Sequence, residues 1–120
     1  MSPEAGASGL AEAARIFAAL GDPTRLALLH RLADGQERSI ASLSTDGALT
    51  RQAVTKHLAV LEATGFVGRQ RRGRETRFKF KPHSIQEAGA YLQAVSGQWD
   101  DALARLQAHL EGKGAAAIDR

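Results

Sequence analysis

The sequence contains no cysteine among its 120 residues. Disulfides, thiol redox switches and thiolate metal ligands are therefore excluded, and this composition is typical of a cytoplasmic protein. The sequence also lacks any run of about 18 apolar residues, so it predicts no helix that spans a membrane. The N-terminal stretch MSPEAGASG has neither the basic nor the apolar segment of a secretory signal peptide. We therefore expect a cytoplasmic protein with no membrane partner.

The positive charge is concentrated in one part of the chain. The whole protein has a net charge of +3. Residues 66–81 contain seven basic side chains against Glu75 alone, a local charge of +6, so the remainder of the chain sums to −3. A basic segment on an otherwise acidic molecule is a footprint for polyanion binding, and nucleic acid is the first candidate. Taken alone, the segment is interpreted equally well as a solubilising surface.

The length predicts one domain, which we place at residues 10–111. Residues 1–9 and 112–120 are small, contain glycine and show no apolar period, so they are expected to be disordered tails. A chain of this length buries about two thirds of its unfolded surface, and dimerisation would bury more.

Two helices are predicted in the first third of the domain. Residues 10–20, LAEAARIFAAL, have apolar residues at helical spacing, and Gly21 ends this helix. Asp22 and Pro23 then start the second helix, because an aspartate can cap the first amides and proline suits the first turn. Gly35 ends it.

A short third helix and a longer fourth helix follow. Ser39 is the predicted N-cap of the third helix, and Asp46 and Gly47 form a turn after it. Thr50 caps the fourth helix, which continues to the stop signal at Gly65.

After Gly65 the apolar period changes from 3.6 to 2. Thr76, Phe78 and Phe80 alternate with charged side chains, and Arg72-Gly73 marks the tip of a turn. This pattern predicts a two-stranded hairpin with one apolar face and one basic face.

A long last helix, with Ser84 as its predicted N-cap, carries a narrow apolar strip of the kind that packs on another helix. The strip consists of Ile85, Ala88, Leu92, Val95, Trp99, Leu103, Leu106 and Leu110.

The element order is α-α-α-α-β-β-α. A short helix, a tight turn and a helix make a helix-turn-helix, and a basic hairpin after it predicts a mostly α winged helix-turn-helix fold with a β-hairpin wing. The second helix of such a motif enters the major groove of DNA. The predicted DNA-binding residues lie on the fourth helix and the hairpin: Thr50, Arg51, Gln52, Thr55, Lys56, His57, Arg69, Arg71, Arg72, Arg74 and Arg77.

The fourth helix supplies the side chains that would read bases. Gln52 can pair with adenine edges and Arg51 with guanine or phosphate. Thr55 suits a base or a phosphate, and Lys56 suits a phosphate. His57 borders the apolar face, so packing or a phosphate contact is a better interpretation than metal ligation.

Catalytic and metal sites are not indicated. The sequence shows no nucleophile–base pair, glycine-rich phosphate loop or acid pair, so we expect neither an enzyme nor a cofactor. A zinc site on the last helix would need converging ligands. The only candidates are Asp100, Asp101 and His109, whose spacing aligns them poorly.

Three segments together resemble the ArsR/SmtB family of bacterial winged-helix repressors. They are ALGDPTRLALLHRLADG, the SIASLS helix and LTRQAVTKHLAVLEATGFVGRQRRGRETRFKF. The resemblance covers about residues 10–110 and implies a homodimer, joined through its first and last helices, on an inverted-repeat operator. The interface residues that it implies are Leu10, Ala13, Phe17, Leu92, Val95, Trp99, Leu103 and Leu106.

One departure from the family concerns its signal. Many members sense metals or arsenite through cysteines on the short third helix or near the termini, whereas the corresponding stretch here is SIASLST. The family's zinc site on the last helix is not matched either. The chain is similar to the metal-independent branch, whose members respond to other signals or simply repress, so we expect that any releasing signal, whether a small-molecule inducer or another, does not act through thiols.

Two other classes of function remain as alternatives. In the first, the winged helix binds a protein partner and its basic hairpin is incidental. In the second, histidines and carboxylates form a metal-responsive switch.

Overall fold

A computed structural model of the chain describes residues 3–45 and 49–118, with side chains for residues 9–45 and 49–112. Five helices and three strands make up this part of the chain. In order they are α1 (Pro3–Leu20), α2 (Pro23–Leu32), β1 (Arg38–Ser39), α3 (Ile40–Leu43), α4 (Arg51–Ala63), β2 (Val67–Arg72), β3 (Glu75–Phe80) and α5 (His83–Ile118). The architecture is a winged helix-turn-helix, as the sequence predicts.

The two outer helices are longer than the sequence predicts. α1 begins at Pro3 and α5 continues to Ile118, so the backbone is helical over much of the expected tails. Once a helix is nucleated, each residue added at its end costs little. The turn expected at Asp46 and Gly47 lies outside the described residues.

Three of the four predicted N-caps are confirmed. The side chain of Asp22 accepts a hydrogen bond from the Arg25 amide at 3.0 Å, with Pro23 in the first turn of α2. The side chains of Ser39 and Thr50 each accept a bond of 3.0 Å from the amide three residues later. These contacts satisfy amides that lack a partner within the helix.

The sheet has three strands, whereas the sequence predicts a two-stranded hairpin. The strand order is β1-β3-β2, and both pairings are antiparallel. β1 consists of Arg38 and Ser39 alone, which pair with Phe78 and Arg77. Two residues cannot display an alternation of period 2, so this strand leaves no pattern in the sequence.

Buried apolar side chains from α1 to the start of α5 form one core. From α4 the core includes Val54, Leu58 and Leu61, which are fully buried and lie on one side of the helix. Burying each such side chain contributes about 1.5–3 kcal/mol. Phe66, Val67 and Phe78 bring the base of the hairpin into the same core. The core therefore fixes both α4 and the hairpin.

The junction between α4 and the hairpin turns on Gly65, whose φ is +81°. The Phe66 amide donates to the Leu61 carbonyl at 2.9 Å, and the Gly65 amide donates to the Glu62 carbonyl at 3.1 Å. This pattern is a Schellman motif, which ends a helix with one left-handed residue.

Ser84 has a different role from the predicted one. α5 begins at His83, so Ser84 lies in its first turn rather than at its N-cap. The buried Ser84 hydroxyl donates to the Thr64 carbonyl at 2.6 Å. The hydroxyl thus joins the start of α5 to the end of α4. Because its partner is 20 residues away in the chain, the local sequence could not reveal this role.

The chain divides into two units, Met1–Ala88 and Gly89–Arg120. In the second unit no described side chain is buried. This stretch of α5 presents the α5 apolar strip, which consists of Leu92, Val95, Trp99, Leu103, Leu106 and Leu110.

Candidate nucleic-acid interface

The outer face of α4 consists of Arg51, Gln52, Thr55, Lys56 and Ala59, and all five side chains are exposed. The opposite side of the helix is anchored in the core. The polar groups therefore project from a helix whose position is fixed by packing, which is the arrangement that groove recognition requires.

Thr50 shapes the N-terminal end of this face. Its side chain satisfies the Ala53 amide, which leaves the Arg51 and Gln52 amides without a partner inside the helix. Such amides, with the helix dipole, favour a phosphate at this end.

The Thr55 hydroxyl is already used as a donor. Its Oγ1 donates to the Arg51 carbonyl at 2.7 Å. In this rotamer the oxygen can only accept a further hydrogen bond. It therefore suits an amino group on a base edge better than a phosphate, which offers no donor.

His57 lies away from the outer face of α4. Its Nδ1 is 3.5 Å from Nη1 of Arg25 and 3.9 Å from Oδ2 of Asp22. The ring therefore lies against the start of α2. This placement favours the packing role of His57 over the phosphate contact that was predicted alongside it.

Arg25 holds three elements together and was not among the predicted site residues. Its guanidinium donates to the Ala19 carbonyl at 2.7 Å and to the Ala18 carbonyl at 3.1 Å. Its own amide donates to the side chain of Asp22, which caps α2, and this bond is the largest cause that lowers the pKa of Asp22. Arg25 lies in the segment ALGDPTRLALLHRLADG, which carries part of the family resemblance.

Arg69 and Arg72, on the wing (residues 67–80), are paired with carboxylates from outside the hairpin. Arg69 donates through Nε and Nη2 to Glu62 of α4 at 3.1 and 2.8 Å, and its guanidinium lies 5.3 Å from the centre of the Phe78 ring. Arg72 donates through the same two nitrogens to Glu37 at 2.9 and 2.5 Å. The pairings raise the pKa of both arginines, and the bond from Arg72 lowers the pKa of Glu37.

The other three predicted wing arginines differ in the partners that their guanidiniums contact. Arg77 pairs with Glu75 on its own strand at 2.7 Å, and Arg71 donates to the Gly73 carbonyl at 3.0 Å. Arg74 has no hydrogen bond or ion pair with the part of the chain that the structure describes. Arg71 and Arg74 are thus the wing arginines that have no carboxylate partner among the described residues.

The charge of the wing region is smaller in the folded protein than in the sequence segment. Glu37 and Glu62 bring two negative charges to the hairpin, which reduces the local charge from +6 to +4. Sequence reasoning missed both carboxylates because they lie outside residues 66–81.

The residues predicted for a dimer interface fall into two groups. Leu10 and the predicted members on α5 are exposed; Trp99 is 64% exposed, the most of the large apolar side chains that the structure describes. Phe17, by contrast, is half-buried and packs against the core of its own chain, and Ala13 is also partly buried.

Neither a metal cluster nor a membrane span emerges from the described residues. No group of three or more histidines, cysteines or acidic residues is placed there to hold a metal ion. None of the helices searched is long and apolar enough to cross a membrane.

Comparison with known proteins gives the family. A family model described as a helix-turn-helix domain matches residues 20–69. An ArsR-like transcriptional regulator from Rhodococcus sp. RHA1, whose structure is known, is 36% identical; the match covers 82% of this chain and 92% of that one, with a TM-score of 0.74. The chain belongs to the ArsR/SmtB-type family of helix-turn-helix transcriptional regulators.

Two other relatives of this ArsR-type regulator are informative. The HTH-type transcriptional repressor SmtB of Mycobacterium tuberculosis is 31% identical over 91 residues, or 76% of this chain, which spans 65% of that relative. A homodimeric winged helix-turn-helix DNA-binding domain from Mycobacterium bovis is 26% identical; the match covers 82% of this chain and 89% of that one, with a TM-score of 0.64. This regulator therefore carries a helix-turn-helix DNA-binding domain and is not an enzyme, as the sequence predicts.

Proposed function

We propose that this ArsR-type regulator is a dimeric cytoplasmic repressor that binds an inverted-repeat operator with α4 in the major groove. The observation that carries the proposal is the outer face of α4. Its polar side chains project from a helix whose other side is fixed in the core by Val54, Leu58 and Leu61. The B-DNA major groove is about 12 Å wide and admits such a helix.

The α5 apolar strip and Leu10 supply the support for a dimer. Six large apolar side chains on one helix are exposed, and a second copy of the chain can cover them. The similar domain from M. bovis is a homodimer. A two-fold dimer presents two α4 helices to half-sites about one helical turn of DNA apart, which requires an inverted repeat.

The wing extends the contact to the DNA backbone. Among its arginines, we assign phosphate contacts to Arg71 and Arg74, because neither is neutralised by a carboxylate among the described residues. Such contacts position the protein, whereas the α4 side chains read the base edges.

A signal releases the repressor without thiol chemistry, since the chain has no cysteine. Release requires two dimer geometries that space the α4 helices differently. A ligand that binds the geometry mismatched to the operator lowers DNA affinity by its differential affinity for the two states.

Fluorescence anisotropy tests the function directly. The protein is titrated into labelled DNA from its own upstream region and into a scrambled duplex, over a series of salt concentrations. We expect tight binding to the first duplex, two subunits per operator and a steep fall of affinity with salt. Weak and equal binding to both duplexes would show that α4 does not read bases.

Substitution of Gln52 by alanine tests base readout. Loss of a bidentate base contact lowers discrimination at one or two operator positions by about 1–3 kcal/mol. Gln93→Ala, which changes an exposed glutamine on α5, is the matched control. An equal loss on operator and scrambled DNA would exclude a base contact by Gln52.

A further inference from the structure

The structure ties the wing to the helix-turn-helix body through two bidentate guanidinium–carboxylate pairs. Arg72 binds Glu37, which immediately precedes β1, and Arg69 binds Glu62 on α4. In both pairs the arginine belongs to β2, and the carboxylate lies outside the hairpin. A bidentate pair restrains orientation as well as distance, because the planar guanidinium matches both carboxylate oxygens.

The two pairs act on opposite faces of the hairpin. Arg69 is opposite Phe78 in the register and lies over its ring, on the face that meets the core. Arg72 is three residues further along β2, so its side chain points to the other face. The strand order β1-β3-β2 means that the Arg72–Glu37 pair spans the central strand.

Glu37 is well placed to hold Arg72. Its side chain is only 17% exposed, whereas that of Arg72 is 55% exposed. The hydrogen bond from Arg72 is the largest cause that lowers the pKa of Glu37, and the charges of Arg77 and Lys79 act in the same direction. Glu37 therefore stays ionised at neutral pH and remains able to accept both bonds from Arg72.

We propose that Glu37 and Arg72 form a clamp that sets the position of the wing relative to α4, so that Arg72 is a positioning residue rather than a phosphate contact. The pair fixes where Arg71 and Arg74 meet the DNA. This inference rests on the proposed DNA-binding function, and it assigns roles within the wing that the basic composition of the segment does not distinguish.

The alternative role for the same pair makes the opposite prediction. If Glu37 merely competes with DNA for Arg72, removing the carboxylate would free a cation and tighten binding. If Glu37 positions the wing, removing it weakens recognition of the operator. The sign of the effect of Glu37→Gln therefore separates the two roles.

The test measures the ratio of operator to scrambled-duplex affinity, together with the salt dependence, for four variants. Glu37→Gln and Arg72→Gln should each lower this ratio by about three- to tenfold, and the double variant should lower it no further, because both changes break one interaction. Arg72→Lys should behave like Arg72→Gln, since an ammonium cannot replace the bidentate fork. The salt slope, which is the slope of log affinity against log salt concentration, should change by the same amount in Arg72→Gln and Glu37→Gln, because both substitutions displace Arg71 and Arg74.

Glu75→Gln is the matched control for charge. It removes one wing carboxylate, but its partner Arg77 lies on the same strand, so no connection to the body is lost. An equal effect of Glu75→Gln and Glu37→Gln would overturn the clamp. So would a salt slope for Arg72→Gln that falls by about one unit while Glu37→Gln tightens binding, because that pattern identifies a phosphate contact.

A measurement without DNA keeps the clamp separate from the proposed function. We expect the amides of β2 to exchange their hydrogens faster in Glu37→Gln than in the wild type, and Glu75→Gln to leave them unchanged. Unchanged exchange in Glu37→Gln would overturn the clamp even if the protein binds its operator. A wild type that fails to distinguish operator from scrambled DNA would instead refute the proposed function.

Discussion

Replacing Gly65 with alanine should destabilise the protein through two separate effects. The first is backbone conformation: Gly65 has a φ of +81°, and an L-residue with a side chain in this region costs about 1–2 kcal/mol. The second is steric. A Cβ at this position would lie 2.6 Å from the Ser84 hydroxyl oxygen, which is too close for any real contact.

The steric effect disturbs a specific hydrogen bond. The same Ser84 oxygen donates to the Thr64 carbonyl at 2.6 Å, and the Ser84 side chain is buried. Moving it weakens that bond, at a cost of about 1 kcal/mol. The two effects together lower the free energy of unfolding by about 2–3 kcal/mol, or Tm by roughly 8–12 °C for a chain of this size.

Urea denaturation followed by circular dichroism, at one fixed protein concentration, measures the change. Gly73→Ala is the control for the backbone effect alone, since Gly73 also has a positive φ of +64° but open space around its Cβ position. It should cost less than Gly65→Ala. Measuring Gly65→Ala again in a Ser84→Ala background isolates the clash, because the next Ser84 atom, Cβ, lies at an ordinary 3.9 Å.

In that background we expect Gly65→Ala to cost only the backbone term, about 1–2 kcal/mol. Equal costs with and without the Ser84 hydroxyl would refute the steric argument. A cost below about 0.5 kcal/mol in both backgrounds would refute the argument from φ as well.

Three further predictions concern the dimer, the wing and acid stability. Leu103→Asp should give monomers in analytical ultracentrifugation, because it would bury a charge in the dimer. Ala108→Asp, on the other side of α5, should leave the dimer intact. A Leu103→Asp protein that remains a dimer and binds DNA normally would place the interface elsewhere. Arg74→Ala should reduce the slope of log affinity against log salt concentration by about 0.9 units on any duplex, because one phosphate contact is lost. An unchanged slope would show that Arg74 does not contact a phosphate. The pKa of Asp22 is lowered in the fold, so its stabilisation is present above the ordinary carboxyl pKa and is lost as pH falls through the lower value. The Tm difference between wild type and Asp22→Asn should therefore be constant above about pH 5 and shrink below about pH 4; a difference that is independent of pH would contradict this linkage.

The elements that could be predicted from the sequence are those whose signals are local. Asp22, Ser39 and Thr50 each cap a helix by accepting from an amide three residues away, so the donor and acceptor lie within one short stretch. The apolar faces of α4 and β3 could also be predicted, because their periodicity is visible within one short stretch of sequence. The order of these elements was enough to predict a winged helix-turn-helix.

The features that could not be predicted depend on residues that are distant in the chain. β1 pairs with a strand about 40 residues later, and two residues carry no period. Ser84 was predicted to be a cap because a serine stands near the start of a helix. Its actual acceptor, the Thr64 carbonyl, is 20 residues away and leaves no local signal.

The candidate site shows the same division. By itself, the sequence determined which residues form the outer face of α4, because helical periodicity places the core residues on the other side. It also determined that this chain supplies no thiol, because it contains no cysteine. Only the tertiary structure decided which wing arginines are paired, since Glu37 and Arg72 are 35 residues apart and the fold alone brings their charges into contact.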